Sequence, residues 1–392
     1  MVNIKQYSNL FFLIIILIFA LFMIINPQET VNSAAAGIKL WYTMVLPALF
    51  PFFVVAELLI SLKFVNFLGI ILEPVMRPIF RLPGCSSLVV VMGFTSGFPV
   101  GALLTKRLYD EKMLNANEAE RLVCFTNNSS PLFILGAIGV GMFGSAMLGY
   151  LLAVAHYLSN LLIGFFLRYR AIEPVNSRDK LKPTYNKALS VLLDGNNLES
   201  NGIGMLLGNA IKNSLTNILA IAGFIIIFSI LTRMLAVWGI MNILANLMLK
   251  MFSILNLSYP LAYGIGMGIF EMTLGARTVT SCVPGEILSK LIIVSGILAF
   301  GGFSVIAQIM SIVAGSPVRL SYYLYMRLIQ ILLSISIVMI GYQFCKTAIP
   351  SMSIPFYKIV YSFDAWTFSI HCLLAGAIII FIMVLISIVR PD

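Results

Sequence analysis

The chain has 392 residues, 60% of them apolar and only 10% charged, with a mean hydropathy of +1.00. A soluble domain carries about 25% charged residues, so a soluble fold is excluded and the chain reads as an all-α polytopic membrane protein. The net charge of +10 then bears on orientation and anionic lipid headgroups, with no nucleic-acid partner implied. Cys85, Cys124, Cys282, Cys345 and Cys372 are scattered without a CxxC pair, which gives no metal site. No Walker or Rossmann glycine-rich loop is present, so nothing implies that ATP drives this protein directly.

Residues 1–37 read as an N-terminal helix followed by a loop. The apolar run Leu10 to Ile25 is followed by Asn32-Ser33-Ala34-Ala35-Ala36, which imitates a signal-peptidase site. The run is long for a signal and its basic flank is thin, so the helix is expected to be retained. Residues 38–170 form a first unit. It opens with a span over 38–61, kinked by Pro47 and Pro51 and carrying Glu57, an intramembrane acid and hence a functional candidate that could also snorkel beside Lys63. Residues 64–82, with Glu73 and Arg77 at i, i+4 spacing, predict a surface-lying amphipathic helix.

Residues 88–104 are apolar on both sides of Gly93-Phe94-Thr95-Ser96-Gly97-Phe98-Pro99-Val100-Gly101. Interrupted backbone survives in hydrocarbon only where protein covers it or it lines a wet cavity. Two half-helices meeting at Thr95-Ser96-Gly97 are expected, a re-entrant hairpin that returns to its own side. A broken helix follows over 118–139, interrupted by Thr126-Asn127-Asn128-Ser129-Ser130-Pro131. A clean span over 143–167 closes the unit. Residues 171–205 are a polar connecting loop.

Residues 206–346 repeat this order: a span from Asn213 to Thr232, an amphipathic helix from Ala236 to Ile254, a hairpin at 259–281, a broken helix at 284–314 interrupted at Gly301-Gly302-Phe303-Ser304, and a span from Ser321 to Phe344. Pairs such as Gly101-Ala102 with Gly275-Ala276, and Phe125 with Phe300, recur at offsets of 172 to 175. Residues 347–392 add a loop and a C-terminal span, Trp366 to Val389. Each unit crosses three times, an odd number, so the two are inverted repeats. With the first and last helices the chain makes about eight crossings, both termini on one side. Putting the termini in the cytoplasm assigns the cations from Lys63 to Arg121 and from Arg168 to Lys187 to the inner face, in agreement with the positive-inside rule.

These motifs, with Leu46-Pro47-Ala48-Leu49-Phe50-Pro51-Phe52, Asn127-Asn128-Ser129-Ser130-Pro131 and the stretch from Glu271 to Gly275, resemble the sporulation integral membrane proteins of the YlbJ (SpoVV) type over nearly the whole chain. The resemblance implies a gate, or nucleoside-recognition, domain and an architecture similar to the concentrative nucleoside transporters. It further implies a role in moving dipicolinic acid from the mother cell into the developing spore, across the outer forespore membrane. Paralogues with the same domain take other cargo, so the resemblance fixes fold better than substrate.

Four polar breaks are expected to converge on one site: Thr95, Ser96 and Gly97; Asn127, Asn128, Ser129 and Ser130; Glu271 and Thr273; and Gly302, Ser304 and Gln308. Dipicolinate is a dianion, and burying it unpaired would be prohibitive. Half-helix N-termini offer N–H groups and a positive dipole end, and the Asn and Ser side chains add donors. Glu271 would repel such a cargo unless it is protonated, pairs with Arg277 or binds a cation, so Glu271 and Glu57 are the coupling candidates. The bland alternative for Glu271 is a cap on its own hairpin. No cofactor is implied beyond H+ or Na+ as coupling ion, and partners other than lipid and a small anion are limited to a possible oligomer. His156 and His371 read as packed neutral histidines. Trp41, Trp238 and Trp366 fall near predicted span ends, and the glycines from Gly136 to Gly149 read as close-packing positions. Two alternatives stay open: a nucleoside-like or other small metabolite as cargo, and a non-transporting factor for spore-envelope assembly. No Ser/His dyad, paired Asp or metal-ligand cluster supports an enzyme.

Overall fold

The computed structural model describes residues 4–171, 202–251, 253, 257–282 and 286–345. The span expected at 366–389 and most of the polar loop at 171–205 lie outside them. All regular elements among the described residues are helical. Four helices are long and apolar enough to cross a membrane: Ala146–Arg170, Ile203–Val237, Ile287–Ile312 and Leu320–Phe344. Two bent pairs, Leu10–Ile25 with Pro27–Thr43 at 105° and Leu49–Ser61 with Phe64–Phe80 at 83°, raise the number to as many as six.

Helix α1 (Ile4–Ile25) is followed after Asn26 by α2 (Pro27–Leu40). The loop expected over the end of residues 1–37 is therefore helical. Pro27 sits in the first turn, where its missing N–H costs nothing, and the run Ala34-Ala35-Ala36 has the strongest intrinsic helix preference. A π-turn (Trp41–Val45) leads directly into α3 (Leu46–Ser61). Pro47 cannot donate to Thr43, and the local register widens so that the Leu46 N–H reaches the Trp41 carbonyl. The anticipated proline distortion is thus a π-turn. Trp41 lies near the end of the candidate span segment Pro27–Thr43 and donates its indole N–H to the Ile218 carbonyl at 3.1 Å.

That carbonyl belongs to α9 (Ile203–Val237), a 35-residue helix. Glu29 meets Arg233 at 2.6 Å, Trp41 meets Ile218, and Glu57 accepts from the Asn213 side chain at 3.2 Å. The partners run in opposite directions, so α2–α3 and α9 are antiparallel rods. At Gly37 a Cβ would lie 3.1 Å from the Ile226 backbone. In lipid, such close approach replaces the hydrophobic drive that water would give.

Helix α4 (Phe64–Phe80) turns sharply from α3 and buries Val65, Leu68, Leu72, Met76 and Phe80, one stripe at helical spacing. Glu73 pairs with Arg77 as its spacing implied, and also accepts from the Gly84 N–H. Helices α5 (Ser86–Thr95) and α6 (Val100–Asp110) extend the expected hairpin at both ends. Both arms seat on one atom: a Cβ at Gly93 or at Gly101 would approach the Thr126 carbonyl oxygen to 2.1 or 2.4 Å. Helix α7 (Ala116–Thr126) opens with an Asn115/Glu118 capping box, the 2.8 and 2.9 Å bonds running reciprocally. Thr126 closes it, so the break starts at Asn127. The chain resumes as a π-helix (Leu132–Met142), then turns into α8 (Ala146–Leu167). Gly139 and Gly149 pack as their composition suggested: a Cβ on Gly139 would sit 2.5 Å from the Gly149 Cα.

The second unit follows with α9, α10 (Ile240–Met251), α11 (Tyr259–Phe270), α12 (Met272–Ser281), α13 (Ile287–Phe300), α14 (Gly302–Ile312) and α15 (Leu320–Cys345). The order is the same as in the first: long helix, short amphipathic helix, two short arms, broken helix, long helix. Arms α11 and α12 fold back on each other, with Gly275 against Gly268 and Gly264 against Val279. The fourth break is narrower than expected, two consecutive left-handed glycines, Gly301 (φ 82°) and Gly302 (φ 79°), because Phe303 and Ser304 already lie in the first turn of α14. The units are tied at one end by Arg319, whose guanidinium grips the Glu120 carboxylate at 2.8 and 2.7 Å while its backbone N–H adds a third bond at 3.0 Å. Trp238 stays at the end of α9, edge-on to Phe22 with centroids 5.4 Å apart.

Candidate functional site

The four interruptions meet in a ring. The tip of the first hairpin touches the α7 break, since a Cβ on Gly97 (φ 94°) would lie 2.8 Å from the Ser130 Cβ. Gly97 is held to glycine by this approach and by its left-handed backbone together. The α7 break touches the tip of the second hairpin, with Ser129 Oγ 3.9 Å from Met272 Sδ. That tip touches the α13–α14 break, where a Cβ on Gly302 would come within 3.1 Å of the Phe270 carbonyl and 3.3 Å of the Met272 N–H. The circle closes where the Phe98 ring reaches to 3.5 Å of the position a Cβ on Gly301 would take.

The α7 break is the most heavily bonded part. Asn127 accepts the Ala102 N–H at 2.9 Å through its Oδ1, capping α6, and donates Nδ2 to the Val123 carbonyl at 2.7 Å. Asn128 donates to Phe125 O at 3.3 Å and accepts from Asn160 on α8. Ser129 gives its N–H to His156 Nε2 at 3.1 Å and receives the Tyr157 hydroxyl on its carbonyl at 2.8 Å. Ser130 Oγ accepts the Phe133 N–H at 3.3 Å, starting the π-helix. Free backbone groups at a broken helix must find partners, and here α8 supplies most of them.

Two long helices bring residues that the sequence reading left out. His156 is packed, as expected, but packed against the break, with Nε2 unprotonated in order to accept. Arg327, on α15, is fully buried (0% exposed). It donates Nη2 to the Asn127 carbonyl at 2.9 Å and the Cys124 carbonyl at 3.3 Å, and Nη1 to Gln330. Its guanidinium lies 4.7 Å from the Tyr323 ring centroid and 6.0 Å from that of Phe98. A lone Arg with a Gln three residues on, inside the apolar run from Ser321 to Phe344, was the signal available in the sequence, since intramembrane charges face protein interiors and pathways.

Of the other candidates, Ser96 is buried with no partner for its hydroxyl among the described residues, whereas Thr95 bonds the Val91 carbonyl of its own helix at 2.9 Å. Glu271 splits its carboxylate between the Thr273 and Leu274 N–H groups, at 3.0 and 2.7 Å. It is the N-cap of α12, and no ion pair joins it to Arg277 among the described residues. Thr273 enters this cap through its backbone. Ser304 and Gln308 lie buried together on α14 at 3.4 Å, and no side chain caps that helix at Gly301. Glu57 stands elsewhere, on the α3–α9 seam with Asn213. Around the ring, Ser96 Oγ, His156 Nδ1, Asn160 Oδ1, Arg327 Nε and Gln330 Nε2 are buried without a hydrogen-bond partner among the described residues. Buried polar atoms are rarely left so, and five in one place make a site with unspent donors and acceptors. Among the described residues, no three His, Cys, Asp or Glu side chains gather as metal ligands.

Residues 42–156, which run from the π-turn to His156, match the Gate family model, described as nucleoside recognition. The sporulation integral membrane protein YlbJ of Bacillus subtilis (strain 168) is 40% identical over 332 residues, 84% of this chain and 81% of that protein. An uncharacterised protein of Alkalihalophilus pseudofirmus is 37% identical over 91 residues, 22% of this chain and 19% of its own. No solved structure matches. This integral membrane protein belongs to the family of the sporulation integral membrane protein YlbJ.

Proposed function

We propose that the chain is a secondary transporter of a small organic anion, dipicolinate by preference, moved from the mother cell toward the forespore. The observation that carries the reading is the ring of four breaks. It encloses unspent polar atoms and a buried guanidinium, and helix α14 presents an uncapped N-terminus to it. A cation and free helix N–H groups together suit a carboxylate. In this reading the units are inverted repeats, the hairpins re-enter, and the chain makes eight crossings with both termini in the cytoplasm, at the outer forespore membrane. The antiparallel pairing of α2–α3 with α9 is what such a pseudo-twofold would produce. The hairpins and broken helices move against this rod scaffold to expose the site alternately, and no bond is made or broken in the cargo.

Coupling to H+ or Na+ resides at Glu271 rather than at Glu57. A charged Glu271 holds the α12 N-terminus through two N–H bonds. Protonation removes one acceptor and loosens the tip that touches Ser129 and Gly302. The expected result for Glu271→Gln is uptake whose pH dependence is flattened; an unchanged pH profile contradicts the assignment. A neutral nucleoside-like cargo is the second reading, favoured by the family description of residues 42–156. Uptake of labelled dipicolinate into vesicles holding the purified protein decides between them. Competition by dicarboxylates and none by nucleosides is expected, and the reverse pattern contradicts the anion reading. Absence of any uptake, together with normal spore dipicolinate in Ser96→Ala and Asn128→Ala strains, contradicts transport itself.

A further inference from the structure

We infer that Arg327, positioned by Gln330, is the residue that recognises a carboxylate of the cargo and makes the site prefer a diacid over a monoacid. The inference rests on the anion reading above and names the group that would carry its specificity.

The first ground is charge. Arg327 is wholly buried, and the ion pairs among the described residues do not include it. Burying a cation without a counter-ion is strongly unfavourable, and carbonyls and ring faces offset it only in part. The guanidinium is held on one side by the Asn127 and Cys124 carbonyls and by Gln330, while Nε has no partner among the described residues. The Gln330 amide nitrogen is likewise unspent, and so is the Ser96 hydroxyl. A carboxylate would supply both the missing charge and the missing acceptors, and a guanidinium matches it in shape as an ammonium cannot.

The second ground is asymmetry. At the 174-residue offset that sets Gly275-Ala276 on Gly101-Ala102, Gln330 falls on His156 and Ser334 on Asn160, all polar, and His156, Asn160 and Ser334 bond to the broken helices. Arg327 falls on Ala153. The first half therefore has no cation at the equivalent place, and Arg327 reaches across to the α7 break, in the half other than its own. A single cation set to one side of a pseudo-twofold site anchors one end of a cargo and leaves the other end to the uncapped N-terminus of α14.

The test is equilibrium binding of dipicolinate, picolinate and uridine to the full-length protein in lipid nanodiscs. Wild type is expected to prefer dipicolinate over picolinate by about tenfold or more, the ratio of one good charged contact. Arg327→Gln should lose most dipicolinate binding and bring that ratio toward one. Arg327→Lys, which keeps the buried charge against the carbonyls and so guards against a variant that fails to fold, should fall between. Gln330→Ala should lower dipicolinate affinity less than Arg327→Gln, with a lowered melting temperature because a buried guanidinium N–H is left unpaired. Dipicolinate affinity and diacid preference at the wild-type level in Arg327→Lys or Arg327→Gln overturn the assignment and leave the anion reading standing. A wild-type protein that binds uridine and neither acid overturns the anion reading and this inference with it.

Discussion

The two halves break their helices by different means. In the first, the interruption of α7 runs from Asn127 to Ser130, and side chains satisfy it residue by residue: Asn127 turns to α6, Asn128 to Asn160, Ser129 to His156 and Tyr157. In the second, the interruptions are shorter, Glu271 alone and the left-handed pair Gly301-Gly302, and the fit is made by backbone and glycine contacts, Gly302 against Phe270 and Gly275 against Gly268. A side-chain network fixes direction and hydrogen-bond character. A glycine seam fixes only distance and slides at lower cost. The break of the first half is thereby the more rigidly held, and the seams of the second are the more easily displaced.

The comparison breaks most severely at the seams. Gly275→Val would drive a β-branched side chain into the Gly268 backbone, which lies 2.3 Å from the added Cβ, and overpacking against backbone costs about 3 kcal/mol or more. We expect loss of monodisperse protein in detergent, with Gly101→Val, opposed to the Thr126 carbonyl at 2.4 Å, behaving alike. His156→Ala leaves the buried Ser129 N–H unpaired and should cost about 1–3 kcal/mol, read as a lowered melting temperature together with weakened cargo binding. Removing the Glu271 cap by Glu271→Ala should cost about 1 kcal/mol, with binding affected less than transport rate if the second half is the mobile one. Glu57→Gln keeps the shape of the Asn213 contact on the scaffold seam, so uptake and its pH profile should stay within error of wild type. A large loss of uptake there would move coupling to that seam.

The breaks were legible in the sequence because irregular backbone in lipid demands distinctive residues. Gly97 with Pro99, Asn127 to Ser130, Glu271, and Gly301 with Gly302 all stand out in an apolar background, and the ring they form followed from repeating the pattern. What surrounds the ring was less legible. His156 gives its nitrogen to a backbone N–H, so no side-chain spacing announces it. Arg327 faces carbonyls 200 and 203 residues away, and only the rarity of charge in a span marks it. The helix over Pro27–Leu40 was hidden because Ser33 to Ala36 serves equally as a peptidase motif or as good helix, and α9 packing along it decides the matter.

The central claim is that the four breaks form one site that must open and close for cargo to pass. Its most direct test is a reversible lock: Ser129→Cys with Met272→Cys, in protein whose five natural cysteines have been replaced. The native Oγ and Sδ atoms stand 3.9 Å apart, and a cysteine at 272 ends one bond short of the native sulfur, so a short bis-methanethiosulfonate linker should join the two halves across the ring. Dipicolinate uptake into vesicles should stop on cross-linking and return on reduction. Full uptake by protein shown by mass to be completely cross-linked would contradict the account.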